Sequence, residues 1–197
     1  KCLRWHRESN YIKEGQRLFG YSMICNKDCT VFIADTAITE LSSSEEMAEV
    51  AIQISEVVKK LGHTPRVAFV SFSNFGNQIR PESQRIKHAK EILDSKNVDF
   101  EYDGEMSPDI ALNNHLLKLY PFANLSKPAN ILIMPGLHSA IISSKLYASL
   151  GEGTVIGPVL DGLDKTIQII PLGSSTSEII NIAAIAASLH GDDGKKL

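Results

Sequence analysis

Few cysteines, no long apolar run and no excess of positive charge limit what this 197-residue chain can be. Its 3 cysteines, Cys2, Cys25 and Cys29, cannot form a closed disulfide framework, so we expect plain thiols in a reducing cytoplasm. No stretch approaches the roughly 18–20 apolar residues that span a bilayer, and the polar residues 1–6 do not form a secretory signal. The net charge of −3 predicts no binding to nucleic acid or to an anionic membrane.

Several common site motifs are also missing. The chain contains no Gly-x-Gly-x-x-Gly or Walker-type loop and no Gly-x-Ser-x-Gly nucleophile elbow. Cys25 and Cys29, without a second ligand pair at metal-binding spacing, make a poor zinc site, so no metal site is predicted. The chain opens with Lys1 instead of Met, which favours an excised domain.

The composition and the periodicity of the apolar residues indicate a single α/β unit. The chain is 43% hydrophobic and 22% charged, which is ordinary for a globular domain. Predicted strands lie at residues 21–25, 30–35, 66–72, 99–103, 131–134, 154–160 and 166–170. Predicted helices follow a Ser42/Glu45 capping box, Pro81, Ser107 and Ser139, and a last one covers 176–189. This alternation predicts a mainly parallel sheet with helices on both faces, in which only the opening hairpin is antiparallel.

Four polar loops are candidates for ligand binding, because ligands of such sheets bind outside the carboxyl ends of the strands. They cover residues 71–77, 103–105, 135–139 and 157–162. The first loop offers hydroxyls, carboxamides and a glycine, through Ser71, Ser73, Asn74 and Gly76. These groups could donate to a phosphate or an acyl carbonyl, or they could cap a helix and complete a turn.

Two further features admit a catalytic or a structural reading. Asp103 and Glu105 flank a glycine, and such a pair serves acid–base chemistry or, more often, a turn and a helix N-terminus. His138 lies at a predicted strand-to-helix junction, where catalytic residues often lie, but a lone histidine is more often structural. From the residues alone, the chain is a cytoplasmic α/β domain.

An ordered series of stretches resembles the phosphate acetyl/butyryl transferase family. These stretches are residues 32–37 (FIADTA), 65–73 (PRVAFVSFS), 103–106 (DGEM), 129–135 (ANILIMP), 157–163 (GPVLDGL) and 178–184 (EIINIAA). The loop Ser73-Asn74-Phe75-Gly76 and residues 119–122 (LYPF) are more similar to the version fused behind NADP-dependent malic enzymes.

The resemblance implies a three-layer α/β/α fold of the isocitrate/isopropylmalate dehydrogenase-like phosphotransacetylase type. The chain would hold the second subdomain and its returning C-terminal helix. Residues 1–17 would be a remnant of the preceding subdomain, 18–170 the second subdomain, 171–190 the returning helix and 191–197 a solvated tail. The family cleft lies between two subdomains, so half of it would be missing here.

The same resemblance marks two departures from active transacetylases. Active members carry a Ser-Arg pair before the last helix, where this chain has Pro171 and Leu172, whereas Glu178 keeps a carboxylate near the proposed base. After the central strand they carry Pro-Asp-Leu-Asn-x-Gly-Asn, where this chain reads PGLHSAI over residues 135–141. These replacements predict that transacetylase chemistry is lost.

The resemblance leaves three functional hypotheses. The first is a regulatory and assembly domain that binds acetyl-CoA, behind an upstream malic enzyme domain that oxidatively decarboxylates malate to pyruvate with NADP and a divalent metal. The second is an active acetyltransferase acting on acetyl phosphate and CoA, and the third is a purely structural dimerisation module. The family resemblance also implies a homodimer or higher homo-oligomer. The candidate ligand-binding residues are Ser71, Ser73, Asn74, Gly76, Asp103, Glu105, His138, Gly157, Pro158, Ser174 and Glu178.

Overall fold

Alternating strands and helices account for most of the residues that the computed structural model describes, which are 12–76 and 80–190. The strands are β1 (Phe19–Cys25), β2 (Thr30–Ala34), β3 (Arg66–Val70), β4 (Glu101–Met106), β5 (Ile131–Ile133) and β6 (Thr154–Asp161). The helices are α1 (Ser44–Lys60), α2 (Pro81–Lys96), α3 (Pro108–Leu112), α4 (Asn114–Leu117), α5 (Leu137–Leu150) and α6 (Thr176–His190).

The six strands form one sheet in the order β4-β3-β5-β2-β1-β6. The pairs β4–β3, β3–β5 and β5–β2 are parallel, whereas β1 runs antiparallel to both β2 and β6. The predicted mainly parallel sheet is therefore confirmed. The hairpin of β1 and β2 is also confirmed, and Asn26 Oδ1 closes its turn by accepting from the Asp28 and Cys29 amides.

Both faces of the sheet carry an apolar core, because successive side chains of a strand point to opposite faces. In β2, Phe32 and Ala34 pack with α1 and α2, whereas Val31 and Ile33 pack with α3 and α5. This arrangement is the predicted three-layer α/β/α architecture. The apolar stripe predicted for α1 is buried throughout: Met47, Val50, Ala51, Ile54, Val57 and Val58.

The capping box of α1 lies one residue later than predicted. Ser43, not Ser42, is the N-cap: its hydroxyl accepts from the Glu46 amide at 3.2 Å, and the Glu46 carboxylate accepts from the Ser43 amide at 2.8 Å. Both serines have a glutamate three residues later, so spacing alone could not distinguish them. Ser42 is buried instead, and its carbonyl accepts from Arg85.

Two strand predictions were shifted, and the helix after Ser107 proved to be two. The third strand ends at Val70 and leaves Phe72 61% exposed, and the fourth strand is Glu101–Met106, not 99–103. The single helix predicted after Ser107 is divided into α3 and α4, because Asn113 leaves the helical conformation and its side chain caps α4. Ser107 makes no side-chain cap.

The strand predicted at 166–170 is wrong. The side chain of Gln168 replaces the expected backbone pairing: its Oε1 accepts from the Leu160 amide and its Nε2 donates to the Leu160 carbonyl, both at 2.8 Å. A side-chain amide offers one donor and one acceptor, as a peptide group does, so a single residue satisfies the end of β6.

The last helix covers the predicted residues and packs against β6. Ile182 and Ala186 are buried, and Ile179 and Ile180 remain exposed. Residues 191–197, predicted as a solvated tail, and residues 1–11 lie outside the described part of the chain. Within the described ranges, no helix has the length and apolar character needed to cross a bilayer.

Candidate functional site

A buried carboxylate connects three elements at the β4 edge of the sheet. Glu105, at 4% exposure, accepts through Oε1 from the hydroxyls of Ser71 and Ser83, both at 2.9 Å. Ser71 follows β3 and Ser83 lies in the first turn of α2, so the carboxylate joins β3, β4 and α2. A buried carboxylate is tolerated only when such donors replace water.

A β-bulge directs this carboxylate. Phe69 pairs with Gly104 and Val70 with Met106, so Glu105 is the extra residue on β4. Gly104 has φ +142°, and an added Cβ would lie 2.5 Å from the Phe69 carbonyl oxygen. Only glycine fits there. Asp103, Gly104 and Glu105 are thus strand residues, and both the loop at 103–105 and the alternative of a turn and a helix N-terminus are corrected.

Asp103 is held on the outer side of β4. Its Oδ1 accepts from Lys90 Nζ and its Oδ2 accepts from the Asn124 amide, and Lys90 also donates to the Gly104 carbonyl at 2.9 Å. Asp103 is 2% exposed, so the ion pair lies at the border of the core. Asp103 and Glu105 have separate partners and do not form a shared-proton pair.

The loop after β3 is fastened to the end of β4. Phe75 donates its amide to the Glu105 carbonyl at 2.7 Å, and Asn74 Oδ1 accepts from the Ser107 amide at 2.7 Å. Gly76 completes the turn with φ +78°. The structure therefore brings Ser71, Ser73, Asn74 and Gly76 together with Glu105, which sequence reasoning had placed in separate loops.

Ser73 differs from its neighbours in having an unused hydroxyl. Its side chain is buried, and Ser73 Oγ has no hydrogen-bond partner, whereas its amide donates to Ser71 Oγ at 3.4 Å. Buried hydroxyls are nearly always paired, so this atom is a free donor and acceptor within the loop.

The remaining predicted residues lie elsewhere on the sheet. His138 is exposed in the first turn of α5. Gly157 and Pro158 lie inside β6, not in a loop, and Gly157 packs against Ser22 of β1 with φ +137°. Between β4 and β6 stand β3, β5, β2 and β1. The structure therefore does not bring Gly157 and Pro158 to Glu105.

The segment before α6 forms a capping box. Glu178 Oε2 accepts from the Ser175 amide at 2.6 Å and from its hydroxyl at 2.8 Å, and Ser175 Oγ accepts from the Glu178 amide. These bonds, the backbone one foremost, lower the pKa of Glu178 below its ordinary value. Ser174 is half-buried beside them, and its amide donates to the Pro171 carbonyl at 3.1 Å.

Sequence reasoning assigned no role to Asp35, which the structure shows to be a buried anchor. Its two carboxylate oxygens accept from the amides of Gly20, Ala37, Ile38 and Thr39 at 2.9–3.3 Å. All these donors are backbone groups, and they fix the loop after β2 to the start of β1. Among the described residues, no three Cys, His, Asp or Glu side chains converge as metal ligands.

With this geometry described, the chain can be compared with known proteins. It matches the family described as "Phosphate acetyl/butaryl transferase" over residues 4–187. It is 47% identical over 175 residues to an NADP-dependent malic enzyme of Rhizobium meliloti, and this match covers 89% of the chain and 23% of that protein. A phosphate acetyltransferase of Clostridium acetobutylicum is 31% identical over 84% of the chain and 52% of that protein.

Solved structures agree with the sequence comparison. A phosphotransacetylase from Streptococcus pyogenes superposes with a TM-score of 0.84 at 30% identity, covering 90% of this chain and 55% of that one. The chain thus spans about a quarter of its malic enzyme relative and about half of the phosphotransacetylases. Because the family match includes most of the residues and the fold agrees, the chain belongs to the phosphate acetyl/butyryl transferase family, as its resemblance predicted.

Proposed function

We propose that this chain is the phosphotransacetylase-like domain of an NADP-dependent malic enzyme, and that it does not itself transfer acetyl groups. The proposal rests on the segment before α6. There Pro171 and Leu172 stand in place of the Ser-Arg pair that the family resemblance assigns to active members. The 47% identity to a malic enzyme, against 31% to a transacetylase, supports the choice of parent.

The chemical reason is the charge that develops during acetyl transfer. Attack of a thiol on acetyl phosphate passes through an anionic tetrahedral state beside a phosphate group, which preorganised donors stabilise. Losing one such donor costs about 3–4 kcal/mol, or about 100- to 1000-fold in rate. Leu172 is fully exposed and offers no donor. Arg80 lies over the Phe72 ring at the start of α2, and Arg85 of α2 donates to the Ser42 carbonyl.

The loop after β5 supports the same conclusion. Gly136 and Ile141 occupy positions that are Asp and Asn in the pattern of active relatives, and Ala140, which stands where that pattern has Gly, is buried in the apolar core. Gly136 caps α5 with its backbone and provides no side-chain group. Glu178, the remaining candidate base, accepts bonds from Ser175 and serves the helix N-terminus.

The role we propose is regulation and assembly. Acetyl-CoA, bound at the loop of Ser71, Ser73 and Asn74, would bias an upstream domain that decarboxylates malate with NADP and a divalent metal. Such a bias requires that acetyl-CoA bind two states of the enzyme with different affinities. The unpaired hydroxyl of Ser73 supports this location for the ligand, and because Ser73 Oγ is enclosed, the loop must shift for a ligand to reach it.

Assembly has its own supporting observation on α5. Ile142, Leu146 and Leu150 follow one another at a spacing of four residues and are all exposed. An exposed apolar stripe along a helix is typical of an interface between subunits. A second copy of the chain would cover it, and Leu146→Glu should then lower the mass measured by sedimentation, whereas Lys145→Ala should not.

The test of the proposed function uses the longer protein that contains this chain. We expect malate-dependent NADPH formation whose rate or half-saturation changes when acetyl-CoA is added. We also expect no thiol release from acetyl-CoA with phosphate as the acceptor. Ser73→Ala, which removes only the hydroxyl, should weaken the acetyl-CoA response and leave the unstimulated rate unchanged.

Other outcomes would select the other hypotheses. An active malic enzyme indifferent to acetyl-CoA would reduce this domain to assembly. Absence of malate activity together with rapid thiol release would contradict the proposal and restore the active transacetylase.

A further inference from the structure

The sheet face that carries α3 and α5 holds a groove between these two helices. Its volume is about 930 Å³, and α3, with only 5 residues, does not cover this face fully. Leu112 of α3 and Tyr147 of α5 line the groove from the two helices. Its floor comes from β1, β2 and β5 and the residue after β5, through the side chains of Ile24, Val31, Ile33, Leu132 and Met134. The floor is therefore apolar and has no aromatic ring.

This groove reaches the amino ends of the parallel strands. Thr30 opens β2, Arg66 opens β3 and Asn130 precedes β5, and all three residues line the groove. Residues 71–76 follow the opposite end of β3, and neither they nor Glu105 line it. The groove is therefore separate from the loop to which we assign acetyl-CoA.

Positive charge is concentrated where these amino ends meet. Lys27, Arg66 and Lys127 line the groove there, and one acid, Asp28, stands beside them. Arg66 is half-buried and donates to two backbone carbonyls, at 2.7 and 3.4 Å, so neutral acceptors hold the guanidinium in place. Within the part of the chain that the structure describes, no ion pair joins any of these three cations to an acid. An anionic group would be attracted to this end of the groove.

The floor and the helix beside it disfavour a protein segment as the occupant. β2 pairs with β1 and β5, and β5 pairs with β2 and β3, so these floor strands present no unpaired edge. An extended peptide would lay its backbone N–H and C=O groups on apolar side chains without partners. The α5 helix of a second copy has no acidic residue to match the cations. An acyl chain that ends in a carboxylate fits both the floor and the charge, because only its end is polar.

We propose that this groove binds a medium-chain fatty acid. The chain lies along Val31, Ile33 and Leu132, and the carboxylate lies at the end lined by Lys27 and Lys127. Met134 suits a flexible chain, because its unbranched side chain adapts to irregular gaps. The volume of the groove lies within the range of about 300–1000 Å³ that small-molecule sites occupy.

The experiment is titration calorimetry of decanoate, below its micelle-forming concentration, with the longer protein that contains this chain. We expect saturable binding, and octanoate should bind on the order of tenfold more weakly, because fewer methylenes are buried. Ser143→Phe places a ring in the groove from α5 and should remove measurable binding. Lys27→Glu and Lys127→Glu should each weaken binding several-fold. The matched control is Lys96→Glu, an exposed lysine of α2 on the other face of the sheet, which should change nothing.

Three outcomes would overturn the assignment, and none of them depends on the acetyl-CoA response. The first is the absence of saturable decanoate binding by the native protein. The second is equal affinity for octanoate and decanoate, which would mean that surface lysines attract a carboxylate without any burial of the chain. The third is binding that Leu146→Glu lowers and Ser143→Phe does not, which would place the chain on the exposed stripe of α5. Circular dichroism checks the fold of each variant, and if Ser143→Phe misfolds, unchanged binding by both lysine variants overturns the assignment instead.

Discussion

The two ends of the carboxyl edge of the sheet differ in how their polar groups are used. Beside β4, Glu105 and Asp103 are buried and receive donors from α2 and from neighbouring loops. Before α6, Pro171, Leu172 and Gly173 are exposed, and the polar side chains there serve the helix cap. Polar groups that hold the fold are present at one end, whereas Pro171 and Leu172 stand at the other, where the family resemblance implies a Ser-Arg pair. Under the proposed function, the family fold persists in this chain without the family chemistry.

The largest effect is expected from the buried anchor between the two ends. Asp35→Ala leaves four backbone amides without their acceptor and should lower the free energy of unfolding by about 4 kcal/mol, since each unsatisfied buried donor costs about 1–3 kcal/mol. Denaturant titration measures it. Asp164→Ala, at an exposed position, should stay near native stability, and an equal loss there would contradict the distinction.

Two glycines, one at each end of this edge, differ in how closely their surroundings approach them. Gly104→Ala should cost about 3 kcal/mol, because the new Cβ meets the Phe69 carbonyl at 2.5 Å with φ at +142°. Gly173→Ala has open space around it and should change stability by less than about 0.5 kcal/mol. Thermal unfolding of both variants tests this, and similar melting temperatures would show that the bulge is not rigid.

Ion pairs give the next effect. Lys90→Met leaves Asp103 buried without its cation and should destabilise the chain by about 2 kcal/mol, less than a fully buried pair because Lys90 is partly exposed. Lys59→Met removes the surface pair with Asp99 and should have little measurable effect. The reverse order in urea unfolding would contradict this prediction.

The smallest effect concerns pH at the α6 end. The lowered pKa of Glu178 means that its contribution to stability is fully present above the ordinary glutamate pKa and is lost as the pH falls through the lowered value. An NMR titration of the Glu178 carboxyl should therefore give a midpoint below that of a free glutamate. Ser175→Ala should raise the midpoint of this titration. An unchanged midpoint would mean that the capping box of Ser175 and Glu178 does not form in solution.

Regular periodicity was enough to predict the layers of the fold. The 3.6-residue stripe of α1 and the apolar runs of β3 and β5 identify buried elements, because burial imposes that spacing directly. The pairing of Gln168 with Leu160 could not be predicted, since a side chain that imitates a peptide group has no period.

The candidate site was predicted only in part. Ser71, Ser73, Asn74 and Gly76 do cluster, as their position after a strand indicated. The bulge at Gly104 and Glu105 was mistaken for a loop, because glycine between two acids has the composition of a turn. The role of Asp35 could not be predicted from the sequence. All its partners are backbone amides, which nearly every residue type provides, so no pattern of side chains marks them.

The N-terminal approach to the domain is clamped. Arg17 and Gln53 of α1 exchange hydrogen bonds at 3.0 and 3.1 Å, and the Arg17 guanidinium pairs with Glu46 and Glu49. These bonds restrict rotation of the backbone at Arg17 relative to α1. A movement of the chain at Arg17 would therefore displace α1 as well. This helix packs directly against the central strands β3 and β5. The backbone at Arg17 is thus coupled to the core of the sheet through α1.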